Sequence, residues 1–323
     1  LTPDERFMAA AITLGSRGRG RTAPNPNVGA LIVKDGRIVG RGWCQPGGRP
    51  HAEAMALAEA GASARGATCY STLEPCAHES PRGPACSATL IEAGVARVVG
   101  GIIDPDPRTA GTGYERLRSA GIVVSDGVLA AASARSIEGF LSRQRFGRPH
   151  VTLKLATSLD GRIALTDGSS RWITGPEARA HAHLERSRAE IIVVGRGTYD
   201  ADAPTLDVRL AGLDDRSPRR ALLSRRPAPD GWEHLTSPAA IGELRGVDHL
   251  LVEGGAGTAA AFLADDIVDR LLIYRAPIVI GIGKAAIGDI GLADLAAAHG
   301  RWRLLDERTL GSDRLEVYER QRS

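Results

Sequence analysis

The chain has 323 residues, about twice the commonest domain size, so two domains are expected. Hydrophobic residues make up 43% and charged residues 24%, which excludes disordered, collagenous and disulfide-dense classes. The 41 basic residues include only three Lys (Lys34, Lys154 and Lys284), and 38 acidic residues offset them to a net charge of +3. That balance excludes a polycationic nucleic-acid binder.

In chain order, Thr2-Pro3-Asp4-Glu5 forms a capping box with Pro at the first helical position. A helix over residues 4–16 follows, rather than the basic and then apolar start of a signal peptide. No uncharged apolar run approaches the roughly 20 residues of a membrane span, so a cytoplasmic protein is expected. Strands over 28–33 and 38–43 flank Lys34-Asp35-Gly36-Arg37, whose Asp-Gly supplies a positive-φ turn. Helix 51–60, strand 67–72, helix 85–93, strand 97–102, helix 114–120, strand 122–124 and helix 128–145 complete a first domain, 1–147. Phe146-Gly147-Arg148-Pro149 reads as a linker. The second domain, 148–323, opens with strand 151–157, helix 176–188 and strand 191–195. A polar, Arg- and Pro-rich stretch over 209–229 precedes strand 250–253, helix 258–264, strand 270–274 and a closing pair at 302–306 and 314–319. Strands alternating with helices predict α/β sheets covered by helices.

All four Cys lie before residue 87, so they read as thiols or metal ligands rather than a disulfide framework. His51-Ala52-Glu53 stands at a helix start, Glu74-Pro75-Cys76 follows a strand, and Cys86 opens the next helix. One imidazole and two thiolates are the three ligands of a catalytic Zn²⁺ that keeps a fourth position for water. Helix N-termini favour the thiolate form of such cysteines. Glu53 is placed to move protons for that water, whose pKa zinc lowers toward about 7. This is the logic of the zinc nucleobase deaminases, with a wider gap between Cys76 and Cys86 than their Cys-x-x-Cys. The competing reading is a closed structural zinc site with His78 as fourth ligand. Cys44 and Cys69 read as packing residues, and His181 and His183 as exposed helix residues.

In the second domain a strand carrying Lys154 runs into Ser158-Leu159-Asp160-Gly161, followed by Ser170-Arg171-Trp172. Leu251-Val252-Glu253-Gly254-Gly255-Ala256-Gly257-Thr258 gives strand, glycine loop and helix start, which would aim backbone N–H groups at a phosphate. A glycine turn that merely packs a helix on a strand fits that loop equally well. Gly255-x-Gly257-x-x-Ala260 satisfies a relaxed dinucleotide fingerprint, but too few residues follow it for a complete sheet of that type.

The segment from Glu74 to Cys86, with His78 two residues after the first Cys, resembles the deaminase half of the bifunctional riboflavin-biosynthesis deaminase/reductases. Asn25-Pro26-Asn27-Val28-Gly29 matches that family too, and the ordered motifs after residue 150 resemble its reductase half. The resemblance implies a cytidine-deaminase-like α/β/α domain followed by a dihydrofolate-reductase-like α/β domain. It implies zinc on His51, Cys76 and Cys86, Glu53 as the catalytic acid/base, and Asn27 and His78 on the pyrimidine. In the second half it implies NADPH against Ala156, Trp172, Thr198, Asp202, Ser224, Gly255, Ala256, Gly257, Thr258, Ala259, Ala260 and Ala261. Lys154, Ser170, Arg186, Leu206, Arg209 and Glu253 would hold the ribose-phosphate substrate, the arginines as bidentate phosphate clamps. The implied reactions are hydrolytic deamination of 2,5-diamino-6-(5-phosphoribosylamino)pyrimidin-4(3H)-one and NADPH-dependent reduction of the ribosyl group of its deaminated product to ribityl. The implied partner is a small phosphorylated pyrimidine, with no nucleic acid or membrane, in a homo-oligomer. Two alternatives stand beside this: a nucleic-acid or free-nucleoside deaminase, and a reductase half that only binds nucleotide. The first would need a basic groove or stacking aromatics, which 4% aromatic content scarcely offers.

Overall fold

In the computed structural model, which describes residues 1–322, the chain divides into two units, Leu1–Gly147 and Arg148–Ser323. The first begins at the capping box: Thr2 Oγ1 accepts from the Glu5 N–H, and the Glu5 carboxylate accepts from the Thr2 N–H. That pair starts α1 (Pro3–Gly15). Strands β1 (Gly29–Lys34) and β2 (Arg37–Trp43) form the expected hairpin, with Asp35 and Gly36 at φ of 49° and 73°. Then come α2 (Ala52–Ala60), β3 (Thr68–Leu73), α3 (Cys86–Glu92), β4 (Arg97–Ile102), α4 (Thr112–Ser119) and β5 (Val123–Ser125). The single helix expected over 128–145 is two, α5 (Ala130–Ser136) and α6 (Glu138–Phe146), because buried Ile137 between them leaves helical geometry.

The sheet order is β2-β1-β3-β4-β5, antiparallel across the first two pairings and parallel across the rest. Alternation along β1 decides the layers. Ala30 and Ile32 face a core with Ala56, Leu90 and Leu117, while Leu31 and Val33 face Met8 and Tyr70. Both faces are therefore covered, as alternating apolar residues on each side of a strand require.

One contact in this unit is closer than side chains permit. A Cβ on Gly42 would lie 1.9 Å from the Ala52 carbonyl oxygen, and one on Gly40 2.1 Å from that of Ala56. Helix α2 thus rests on the bare backbone of β2, and this seats its first turn and the residue that caps it.

The second unit runs β6 (His150–Thr157), β7 (Arg162–Leu165), α7 (Pro176–Arg186), β8 (Ile191–Gly195), α8 (Arg196–Asp202), β9 (Arg219–Leu223), β10 (Glu233–Leu235) and β11 (His249–Val252). It continues with α9 (Ala256–Ala264), β12 (Arg270–Arg275), β13 (Gly283–Ala285), β14 (Trp302–Leu310) and β15 (Asp313–Arg320). Eight strands form one sheet in the order β10-β9-β8-β11-β6-β12-β15-β14, the first six parallel and the last pairings antiparallel. β7 and β13 make a separate two-stranded ribbon. Strand β9 lies inside the stretch read as merely polar, because its Arg219 and Arg220 precede the buried Ala221 and Leu222.

The amino ends of the parallel strands are tied by buried carboxylates. Asp269 accepts from both Nη atoms of Arg148 and from the Val151 N–H, and Glu190 accepts from the His249 and Asp248 N–H groups. The carboxyl ends lie at the other edge, where open α/β sheets place their ligands. Among the described residues no helix is long and apolar enough to cross a membrane.

Because α2 touches the β2 backbone, Gly42→Ala is expected to lower the stability of the first unit by about 2 kcal/mol or more. Urea unfolding together with zinc content would check this: both should fall, and an unchanged pair would refute the seating role.

Two candidate active sites

His51 is the N-cap residue of α2, extended at φ −71° and ψ 162°, so its ring hangs off the helix end instead of lying along it. Its Nδ1 is 3.3 Å from Cys86 Sγ and 3.7 Å from Cys76 Sγ, and the three donor atoms lie within 4.8 Å of one another. A tetrahedral zinc with bonds of about 2.0 Å to nitrogen and 2.3 Å to sulfur separates such ligands by roughly 3.5 Å. The set fits that ion and leaves a fourth position open. His78 is outside the cluster and turns its Nδ1 to Thr109 Oγ1 at 3.3 Å, so the closed four-ligand site is not formed.

Without metal the two thiols share a proton. Hydrogen bonding from the Cys86 thiol, with help from His51 and the Cys86 N–H, holds Cys76 down at about 4 against the cost of burial. The same shared bond and burial push Cys86 up. Glu53, in the first turn of α2, is 4% exposed and accepts from Ser71 Oγ at 3.3 Å; burial pushes its carboxyl up. Cys69 and Cys44 are buried as expected of packing residues, and burial pushes Cys44 up to about 12.

Glu74 holds the loop that supplies Cys76. It is buried, and its two oxygens accept backbone N–H groups from Asp104, Gly111 and Tyr114. The segment from Glu74 to His78 is therefore fastened to the loop before α4. Cys76 O accepts from the N–H and hydroxyl of Ser87 on the other side.

Asn27 requires a correction. It is 3% exposed and its Nδ2 donates to the Gly15 and Ser136 carbonyls, so it fastens the end of α1 to α5 and does not face the cluster. The asparagine at the site is Asn25, whose Nδ2 donates to Gly48 O at 2.9 Å and lies 3.1 Å from His51 Nε2. Once Nδ1 takes the metal, His51 Nε2 carries the ring proton, so Asn25 would hold the imidazole only by turning its amide oxygen toward it.

In the second unit the candidates gather at the carboxyl ends of β9, β8, β11, β6 and β12. Ser224 follows β9; Thr198 and Asp202 lie on α8 after β8; Glu253 and Gly255 follow β11; Lys154 and Ala156 lie on β6. Thr258 of α9 packs into the space that side chains on Gly195 and Gly254 would fill, and Thr198 Oγ1 accepts from the Gly255 N–H at 3.3 Å. No side chain caps α9, so the first-turn N–H groups remain for a phosphate, which fits a dinucleotide phosphate. Trp172 is 66% exposed, flanked by Arg179 and Arg171, with Arg171 3.7 Å from Asp202. Ala259 and Ala260 bury their methyls in the core, so from those positions only backbone can meet a ligand.

The expected phosphate clamp at Arg186 is already occupied. Its Nε and Nη2 form a bidentate pair with Glu253 at 2.7 and 2.9 Å, and Nη1 donates to Asp207 O. Lys154 Nζ lies 3.6 Å from the same carboxylate and above the Tyr274 ring. Burial works against a charged Glu253, yet Lys154 and Arg186 hold it down at about 2. Arg209 stays exposed, resting on His183. Leu206 packs its side chain with Ile192, Val194 and Leu222, so from this position too only backbone can meet a ligand. His181 and His183 are half-buried rather than exposed: His181 meets the Tyr274 hydroxyl, and His183 the Asp207 carbonyl and Arg209. Ser170 is half-buried.

Comparison with known proteins is decisive at this point. Residues 1–102 match the cytidine and deoxycytidylate deaminase zinc-binding region, and residues 149–241 and 232–315 match the RibD C-terminal domain. The riboflavin biosynthesis protein RibD of Escherichia coli is 38% identical over 96% of this chain and 97% of its own; that of Mycobacterium tuberculosis is 40% identical over 96% of each. The chain belongs to the RibD family. Acinetobacter baumannii RibD superposes with a TM-score of 0.89 at 35% identity, over 99% of both chains. A Thermotoga maritima structure superposes at 0.88 and 32%, over 99% of both; it is described as a diaminohydroxyphosphoribosylaminopyrimidine deaminase/5-amino-6-(5-phosphoribosylamino)uracil reductase. As a RibD-family chain this protein is a bifunctional deaminase and reductase of riboflavin biosynthesis, with zinc and NADPH as cofactors and small phosphorylated pyrimidines as substrates.

Glu253 makes the fold acid-sensitive in a defined window. Its carboxyl is at about 2 in the fold against an ordinary 4.5, so the charged form is the stabilised one. That stabilisation is fully present above the ordinary value and disappears as pH falls toward the folded one, roughly 3 kcal/mol in all. Urea unfolding across this range should show a steeper acid loss for the wild type than for Glu253→Gln; equal slopes would contradict the assignment.

Proposed function

We propose that residues 1–147 deaminate 2,5-diamino-6-(5-phosphoribosylamino)pyrimidin-4(3H)-one. Residues 148–323 then reduce the ribosyl group of 5-amino-6-(5-phosphoribosylamino)uracil to ribityl. The observation that carries the first half is the cluster of His51, Cys76 and Cys86 with buried Glu53 two residues on, in the first turn of α2. His51 Nδ1 and the two sulfurs hold zinc, which when bound acidifies a water molecule. Glu53 accepts the water proton at a carboxylate oxygen and returns it to the departing ring amine, so ammonia leaves as a neutral group. Ser71 Oγ donates to that carboxylate, and Glu74 keeps the loop that supplies Cys76 in place. His78 takes the pyrimidine.

In the second half, NADPH when bound supplies the hydride. The α9 N-terminus, Thr198, Asp202, Ser224 and Trp172 would hold it, and Lys154 and Glu253 would meet the sugar. Arg209, exposed, takes the phosphate, while Arg186 serves Glu253. A homo-oligomer is supported by exposed Ile278, Val279 and Ile282 beside the β7–β13 ribbon. A cytoplasmic location is supported by four unpaired cysteines.

Glu53→Gln should retain zinc by elemental analysis and lose ammonia release by about a hundredfold or more; normal deamination by this variant would sink the mechanism. Lys154→Met should still quench with NADPH but lose NADPH oxidation on the deaminated substrate, and full turnover would remove Lys154 from the reacting site.

A further inference from the structure

We infer that Thr109 is a positioning residue that holds His78 in one tautomer, with the proton on Nε2, so that the ring meets the pyrimidine substrate as a hydrogen-bond donor. The inference rests on the assignment of His78 to the substrate. Thr109 is fully buried in the loop before α4, and its Oγ1 has two partners: the Ala77 N–H at 3.4 Å and His78 Nδ1 at 3.3 Å. The Ala77 N–H can only donate, so the hydroxyl oxygen accepts there. A hydroxyl carries one proton of its own, and on a side chain as fully buried as Thr109 that proton needs an acceptor. His78 Nδ1 is the atom in reach. It accepts, which leaves the proton of the neutral imidazole on Nε2. With the proton on Nδ1 instead, the hydroxyl would accept twice and strand its own hydrogen in the core.

The loop is fastened firmly enough to impose this choice. The Thr109 N–H donates to Asp106 O, the Asp106 N–H to the Asp104 carboxylate, and Glu74 accepts from Asp104 and Gly111 on either side. The same Glu74 begins the segment that carries Cys76 and His78, so hydroxyl and ring are positioned by one buried carboxylate. The partner this selects on the substrate is a hydrogen-bond acceptor, a ring nitrogen or an oxygen, and not an amino group.

Imidazole ¹⁵N spectra of the zinc-loaded full chain at mildly alkaline pH test the inference, with the His78 signals assigned by their loss in His78→Gln. A protonated Nε2 and bare Nδ1 are expected. Thr109→Val should erase that preference and raise KM for deamination about tenfold with a smaller change in kcat, while Thr109→Ser should restore both and NADPH oxidation should be unaffected. A proton found on Nδ1 in the wild type overturns the inference even if Thr109→Val does not fold. So does an unchanged spectrum and KM in a folded Thr109→Val. An unchanged KM in His78→Gln instead overturns the substrate assignment beneath it, whatever the tautomer.

Discussion

The contact on which the first unit depends is backbone against backbone: α2 lying on β2 where Gly40 and Gly42 carry no side chain. Ordinary strand residues would lift the helix by the thickness of a methyl group. His51 caps that helix and Glu53 lies in its first turn, so any lift would carry ligand and acid/base away from the cysteines together. The cysteines come from a separate segment, fixed by the Glu74 carboxylate. The metal cluster is therefore the meeting of two independently anchored pieces, and its donor spacing reflects both anchors at once.

The second unit solves a different problem, that of keeping charge in a place with little water. Glu253 is buried, and burial alone would make it neutral. Two cations from different elements, Arg186 on α7 and Lys154 on β6, make the ionised form the stable one. Removing either would leave an imbalance more costly than the pair is worth. The arrangement also changes the reading of the arginines. One that is already forked onto a buried carboxylate has little left for a phosphate, whereas Arg209 is exposed and held only by His183 and a 3.9 Å approach to Asp207.

Most of the architecture is legible in the sequence, because its signals are local. Thr2 and Glu5 are three residues apart, Asp35-Gly36 specifies its own turn, and His51-x-Glu53 with Pro75-Cys76 and Cys86 spells out a ligand set. What is not legible depends on distant partners. Asn25 and Asn27 look alike on paper; only the approach of Gly48 and His51 to one, and of Gly15 and Ser136 to the other, separates their roles. Arg186 looks like a clamp until Glu253, far along the chain, is seen on it. Strand β9 hides behind two arginines, exposed Arg219 and half-buried Arg220, which lies over Trp232. Thr109 carries no motif at all, and its meaning comes from the two atoms that share its oxygen.

The parallel strands of the second unit have one set of buried carboxylates, Asp269 and Glu190, at their amino ends and another, Glu253 with its two cations, beside the candidate ligand residues. Asp269 with Arg148, and Glu190 with the backbone at His249, sit at the opposite strand ends from Glu253 and the α9 N-terminus, with Lys154 midway along β6. Substitutions that adjust thermal tolerance can therefore accumulate at the amino ends without altering what is recognised at the carboxyl ends. Adaptation to heat and adaptation to a new substrate can proceed along this sheet as nearly separate histories.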